Sequence, residues 1–250
     1  MEHLERGVLG MITAQQAGTA SFRSLLERIS PSALGCMGRY PWSSSADLPL
    51  PHCINKADVT LSGNLLADAM NKAGIGPPDI RAEIVFEGEF NRHVEATNNK
   101  ATALFDVTSR LLDWLWQRSE AGEMRVYVDR QGGRTRYLPA LQRIFPACQF
   151  KILSETERSS AYRITGASRQ AEIHFLVNGE DSQLPVALAS MVSKYLRELF
   201  MEQLNAFWAE QVPGLAPTAG YYTDGRRFYQ EISGAVQRLG VDRRLLYRCR

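Results

Sequence analysis

The chain is expected to fold as an α/β protein in which a mixed sheet is flanked by helices. Three observations predict this. Long segments carry apolar residues at steps of three and four, the period of a helix, and between them lie short runs rich in Val, Ile and Phe that read as strands. The two kinds of segment alternate along the chain, the pattern of helices laid on a sheet. Acids stand where two strands end, Asp129 after Val126-Tyr127-Val128 and Asp181 shortly after Phe175-Leu176-Val177, and open sheets commonly place their chemistry at such ends. With 250 residues, 44% of them hydrophobic, the chain can bury one substantial core, so a single domain over residues 1–250 is the simplest reading.

Taken in order, residues 4–15 form a helix with Leu4, Val8, Leu9 and Ile12 on one face, and residues 21–29 form a second, shorter one. Residues 30–56, rich in proline, serine and glycine and including Arg39-Tyr40-Pro41-Trp42, read as a long surface loop or lid. A helix over 62–74 keeps Leu65, Leu66, Ala69 and Ala73 in register and stops at glycine and the pair Pro77-Pro78. Residues 80–87 alternate like a strand. The longest helical pattern, 91–118, recurs through Val94, Ala101, Leu104, Phe105, Leu111, Leu112 and Leu115 and should lie against the sheet. A strand over 125–129, a turn at Gly132-Gly133, a helix over 136–144 and extended runs over 149–153, 161–165 and 171–177 follow. The remainder, 184–250, is mainly helical, with one helix over 184–210, a turn at Gly220-Tyr221-Tyr222-Thr223 and a closing helix over 226–239.

Composition limits the chemistry. A net charge of +2 and a pI near 8.4 are too mild to establish nucleic-acid binding, although the arginines fall in clusters, Arg130, Arg134 and Arg136 in one and Arg226 with Arg227 in another. The planar fork of arginine suits phosphate oxygens, and a solvated charged face produces the same pattern. Cys36, Cys53, Cys148 and Cys249 form no C-x-x-C pair and follow no secretory leader, which predicts a reduced, cytoplasmic protein. His3, His52, His93 and His174 are scattered without zinc-ligand spacing. No apolar run approaches the roughly 20 residues that cross a bilayer.

Four motifs, in order, carry a resemblance. Asn91 to Thr97 reads Asn-x-x-x-x-Ala-Thr; Val128-Asp129 ends a hydrophobic strand; Asp181 precedes Leu188-Ala189-Ser190-Met191-Val192-Ser193-Lys194; and Gly220-Tyr221-Tyr222-Thr223 forms the last turn. Together they make most of the chain resemble ribonuclease HII, within the ribonuclease H-like nucleases. The resemblance implies a ribonuclease H-like mixed sheet and a metal-dependent endonuclease. Its substrate would be the RNA strand of an RNA-DNA hybrid, or a ribonucleotide embedded in DNA, and its cofactor Mg2+ or Mn2+. Carried over residue by residue, Asp129 and Asp181 match metal-ligand, catalytic aspartates, with Glu180 beside them as a further ligand. Tyr221 matches the tyrosine that packs near the sugar at the junction. Lys194 and Ser190 match helix residues lining the site, and Thr223 and Arg130 complete the expected substrate contacts. Two metals about 4 Å apart would stabilise the attacking water and the departing oxygen, which requires several carboxylates.

The family's Asp-Glu-Ala-Gly-x-Gly strand has no counterpart here, and residues 1–15 resemble the helix that follows the family's opening strands, so the amino-terminal strands are expected to be missing. Tyr222 stands where the family turn has a glycine. With two of four carboxylates absent, the remaining aspartates are expected to hold metal weakly. Other readings of the same residues stay open. Asp129 also suits the start of a turn and Asp181 the cap of the next helix; Tyr221 suits a core position with its hydroxyl bonded; Lys194 suits a snorkelling surface role. A non-catalytic nucleic-acid-binding module is therefore the alternative function.

Overall fold

The structure, a computed structural model, describes residues 1–43, 47–118 and 123–248. Cys249 and positions 44–46 of the expected loop lie outside them. More than half of the chain is helical and the fold is α/β with a four-stranded mixed sheet. Contacts divide it into two compact units, one of residues 1–91 with 191–250, the other of residues 92–190.

In the first unit, α1 (Glu2–Ala14) buries Val8, Leu9, Met11 and Ile12, the stripe its periodicity defines. Helix α4 (Lys56–Lys72), capped by Asn55 Oδ1 accepting from the Asp58 N–H at 2.8 Å, lies against it. Gly63 permits the approach, since a Cβ there would sit 2.6 Å from Thr13 Cβ. Helix α2 (Phe22–Ile29) opens with a reciprocal cap between Ser21 and Ser24, and α3 (Pro31–Met37) starts on its proline.

Glu5 ties these pieces together. It is fully buried and receives the backbone N–H groups of His52 at 2.6 Å, Cys53 at 2.5 Å and Ile54 at 3.0 Å. The Tyr195 hydroxyl, from α8 (Leu184–Gln211), donates to it at 2.8 Å. A buried carboxylate is tolerable only when its lone pairs are met in this way. Burial and the adjacent carboxylate push the Tyr195 phenol far above its ordinary pKa, and burial, then Glu5, raises the Cys53 thiol.

In the second unit the strands β1 (Glu123–Asp129), β2 (Gln149–Glu155), β3 (Ser159–Thr165) and β4 (Gln170–Leu176) form one sheet in the order β1-β4-β3-β2. β1 runs parallel to β4, and β4-β3-β2 is an antiparallel meander. Alternation sorts the faces. Val126, Tyr162, Ile164, Ile173 and Phe175 join a core with Phe105 and Leu112 of α6 (Lys100–Arg118) and Leu141 of α7 (Leu138–Ile144). The opposite face places Arg163 against Glu172 at 2.6 Å and Tyr127 stacked on His174 at 5.2 Å.

Several expectations are corrected. Residues 30–56 are no lid: α3 and a one-turn helix at Pro41–Ser43 occupy the segment, and Tyr40 and Trp42 are buried, Tyr40 stacked on Phe86 and Trp42 beside Trp208. Aromatic burial outweighs the turn-rich composition. The run 80–87 is no strand; residues 80–86 have no ladder partner, and α5 begins at Glu87 (Glu87–Thr97). The long 91–118 helix is two, α5 and α6, because Asn98 takes a left-handed φ of 47° and Asn99 Oδ1 caps the next helix at the Ala101 N–H, 2.9 Å away. The last helix, α9 (Tyr222–Leu239), starts four residues earlier than expected.

Replacing Glu5 by Ala leaves the backbone N–H groups of His52, Cys53 and Ile54 without their acceptor. Denaturant unfolding should show a loss of at least about 3 kcal/mol, against about 1 kcal/mol for Tyr195→Phe, which removes one donor and strands no backbone group.

Candidate functional site

The second unit brings three of the expected residues to one end of the sheet. Parallel pairing sets Asp129 opposite Leu176, the last residue of β4, and the one-turn helix Gly179–Asp181 follows directly. Asp129 Oδ1 accepts the Gly179 N–H at 3.2 Å, so the first acid holds the turn that carries Glu180 and Asp181. All three carboxylates are exposed. Asn178, left-handed at φ 52°, turns the chain out of β4. Two expectations change here. The later acids sit in a helical turn after the strand, not at its end, and Asp181 does not cap α8, whose first N–H groups reach the Gln183 carbonyl.

The Arg130 guanidinium donates to the carbonyls of Glu157 and, at 2.9 Å, Thr156. Arg134 lies over the rings of Phe105 and Tyr137 at 5.1 and 5.6 Å, and Arg136, with an 84% exposed side chain, pairs loosely with Glu155 at 3.9 Å. The tract clamps the loop after β1: the Tyr137 hydroxyl accepts from the Gln131 N–H at 3.1 Å and the Tyr162 hydroxyl from the Tyr137 N–H at 2.9 Å. Burial, then the hydrogen bond to Glu155, pushes the Tyr162 phenol up to about 12.

A centre with two divalent cations needs three or four converging carboxylates. Among the described residues no group of three or more His, Cys, Asp and Glu side chains could hold a metal ion. Asp129, Glu180 and Asp181 do not fit a complete two-metal centre by themselves.

The remaining expected residues lie apart from the acids in sequence, on α8 and around the turn at Gly220. Ser190 and Lys194 lie one turn apart on α8, Ser190 belonging to the second unit and Lys194 to the first. Lys194 is exposed, and Arg197 follows three residues later on the same face. The Arg197 guanidinium sits over the Tyr221 ring at 5.0 Å and donates to the Ala219 carbonyl. Tyr221 is 69% exposed, so it is not a core tyrosine. Thr223 is exposed in the first turn of α9.

Asp224, which the sequence reading passed over, fixes this turn. Its Oδ2 accepts from the Thr218 hydroxyl at 2.6 Å and the Ala219 N–H at 2.7 Å, and its Oδ1 pairs with Arg227 at 2.7 Å. Asn205 of α8 exchanges two hydrogen bonds with the Thr218 backbone, both 2.9 Å. Gly220, at φ 73°, has Met201 Sδ only 3.2 Å from where a Cβ would stand. Arg227 is also taken up by Glu231 and by the Ala216 and Pro217 carbonyls, so of the pair Arg226-Arg227 only Arg226 is left for solvent. The Asp224-Arg227 spacing of three was the available signal.

The hydrogen bonds from Thr218 and Arg227 hold the Asp224 carboxyl down to about 2, from an ordinary 3.8. A depressed carboxyl contributes its stability in full above the ordinary value and loses it as pH falls through the lowered one. Thermal melts of wild type should therefore weaken between about pH 4 and pH 2 more steeply than those of Asp224→Asn, which no longer titrates there.

Comparison of the chain with family models, with curated proteins and with solved structures found no match.

Proposed function

We propose that the chain is a nucleic-acid-binding protein of ribonuclease HII-like character that engages RNA-DNA hybrid through the Gly220-Tyr221-Tyr222-Thr223 turn. One observation carries this reading. Tyr221 and Tyr222 are 69% and 55% exposed, yet the turn that presents them is fixed by Asp224, Asn205 and Arg197. Large rings held rigidly in water gain little for folding and lose little entropy on binding, the economy expected of a recognition surface. A tyrosine ring stacks on a sugar or base, and its hydroxyl can sense the 2′-OH that distinguishes RNA from DNA. Lys194, exposed on the adjoining helix, supplies charge for phosphate.

Fluorescence anisotropy with a labelled RNA-DNA hybrid tests the reading. Tyr221→Ala should weaken binding about tenfold, and wild-type affinity should fall steeply as salt rises. Affinity that ignores both the substitution and the salt would defeat it.

A second reading, hydrolysis of the RNA strand, is favoured by the placement of Asp129 beside the turn bearing Glu180 and Asp181, with Mg2+ or Mn2+ as the implied cofactor. Its role for these residues is to offer oxygen ligands at the carboxyl end of a parallel strand pair. Cleavage of a hybrid in manganese that is abolished in both Asp129→Asn and Asp181→Asn would support it, and an uncut hybrid leaves binding as the activity.

A further inference from the structure

We propose that one flank of α9, bearing Tyr222, Arg226, Tyr229 and Ser233 with Arg243 laid over it, is a track for single-stranded nucleic acid. The proposal rests on the reading that the chain contacts nucleic acid, and it extends contact beyond the Tyr221 turn along a surface of which the sequence marked Tyr222 and Arg226 but not Tyr229, Ser233 or Arg243.

Steps of four, three and four residues put these side chains on one stripe of the helix. The buried face is elsewhere, at Phe228, Ile232, Ala235 and Val236. Arg226 and Ser233 are exposed, and Tyr222 is 55% exposed. Both acids of α9, Asp224 and Glu231, lie on the opposite flank, where each is bonded to Arg227. The stripe is thus free of negative charge. From Tyr222 to Arg248 the chain holds six arginines, no lysine and three acids, so this segment alone carries +3 where the whole chain carries +2.

The far end of the stripe is built, not loose. Arg243 lies over the Tyr229 ring at 5.3 Å, and Tyr247 meets the same ring edge-on at 5.8 Å. Asp242 Oδ1 caps the following turn at the Arg244 N–H, 2.9 Å away. Asn91 Nδ2, from α5, donates to the carbonyls of Arg244 at 3.0 Å and Tyr247 at 2.8 Å, which ties the segment to that helix. A guanidinium stacked on a ring uses its π face and keeps its in-plane N–H donors for phosphate oxygens. Rings alternating with such donors match the alternation of base and phosphate in an unpaired strand, whereas a duplex hides its base faces. An acidic peptide would answer the charge but not the rings.

The experiment measures anisotropy of a short labelled single-stranded oligoribonucleotide of mixed sequence with the full chain, beside the same sequence as a duplex and with polyglutamate as competitor. The single strand should bind more tightly than the duplex and resist polyglutamate. Tyr229→Leu, which keeps bulk under Arg243, should weaken binding about tenfold. Arg226→Gln, at an exposed position with no part in folding, should weaken it several-fold and lower the salt slope by about one. If Tyr229→Leu fails to fold, Arg226→Gln decides. Equal affinity for duplex, displacement by polyglutamate, or an Arg226→Gln variant indistinguishable from wild type would each overturn the track. Loss of hybrid binding in Tyr221→Ala alongside an unaffected Arg226→Gln would overturn the track alone; failure to bind either nucleic acid would overturn the proposed function with it.

Discussion

The buried carboxylate of Glu5 is the constraint on which the first unit turns. Three consecutive backbone N–H groups from residues 52–54 converge on it, and a phenol from α8 closes the fourth side. Such an arrangement is costly to dismantle, because a carboxylate stripped of its donors in an apolar surround is worse placed than one left in water. It therefore couples elements that are distant in sequence. α1 cannot pack unless the segment before α4 has folded back over it, and that segment has no regular structure of its own. Placing α1 also places α4, and the Tyr195 hydroxyl fixes the rotation of α8 about its axis. The rotation matters because the same helix presents Lys194, Arg197 and Asn205 to solvent and to the turn at Gly220.

In the second unit the comparable constraint is the parallel pairing of β1 with β4. It brings two strand ends together, and Asp129 bonds the backbone of the following turn. A carboxylate engaged this way is already partly satisfied. The remaining oxygens of Asp129, Glu180 and Asp181 face solvent, an arrangement that offers ligands but does not crowd them. Unlike the first unit, this one owes its shape to apolar layering, with Tyr137 stacked on Phe175 at 3.6 Å in its middle.

Much of this was legible beforehand. The four strand positions, the helices at 2–14, 22–29 and 184–211, and the proximity of Asp129 to the turn at 179–181 follow from periodicity, caps and the acids at strand ends. What escaped notice depended on long-range partners. The turn-rich 30–56 segment looked like solvent-exposed chain because composition cannot see that Tyr40 and Trp42 will find Phe86 and Trp208. Alternation at 80–87 mimicked a strand because sequence cannot show that the run finds no ladder partner: residues 80–85 are uniformly half-buried and only Phe86 reaches the core. For the arginine cluster at 130–136 phosphate contact and a solvated face both stayed open, because sequence gives the charge but not the carbonyls and rings that Arg130 and Arg134 meet. Asp224 was overlooked for the opposite reason, since its partners Thr218, Ala219 and Arg227 are all local and only its convergence on them gives it weight.

The close passage of α1 and α4 at Gly63 has a consequence on the far side of α4. A helix that must show its glycine to a neighbour also turns the residues two before and two after it almost directly away, since each step rotates by about 100°. Leu61 and Leu65 therefore stand in water, 59% and 62% accessible, by rotational necessity. Their greasy outward pair is the shadow of a tight contact on the inner surface, and no vacant binding partner is required to account for it.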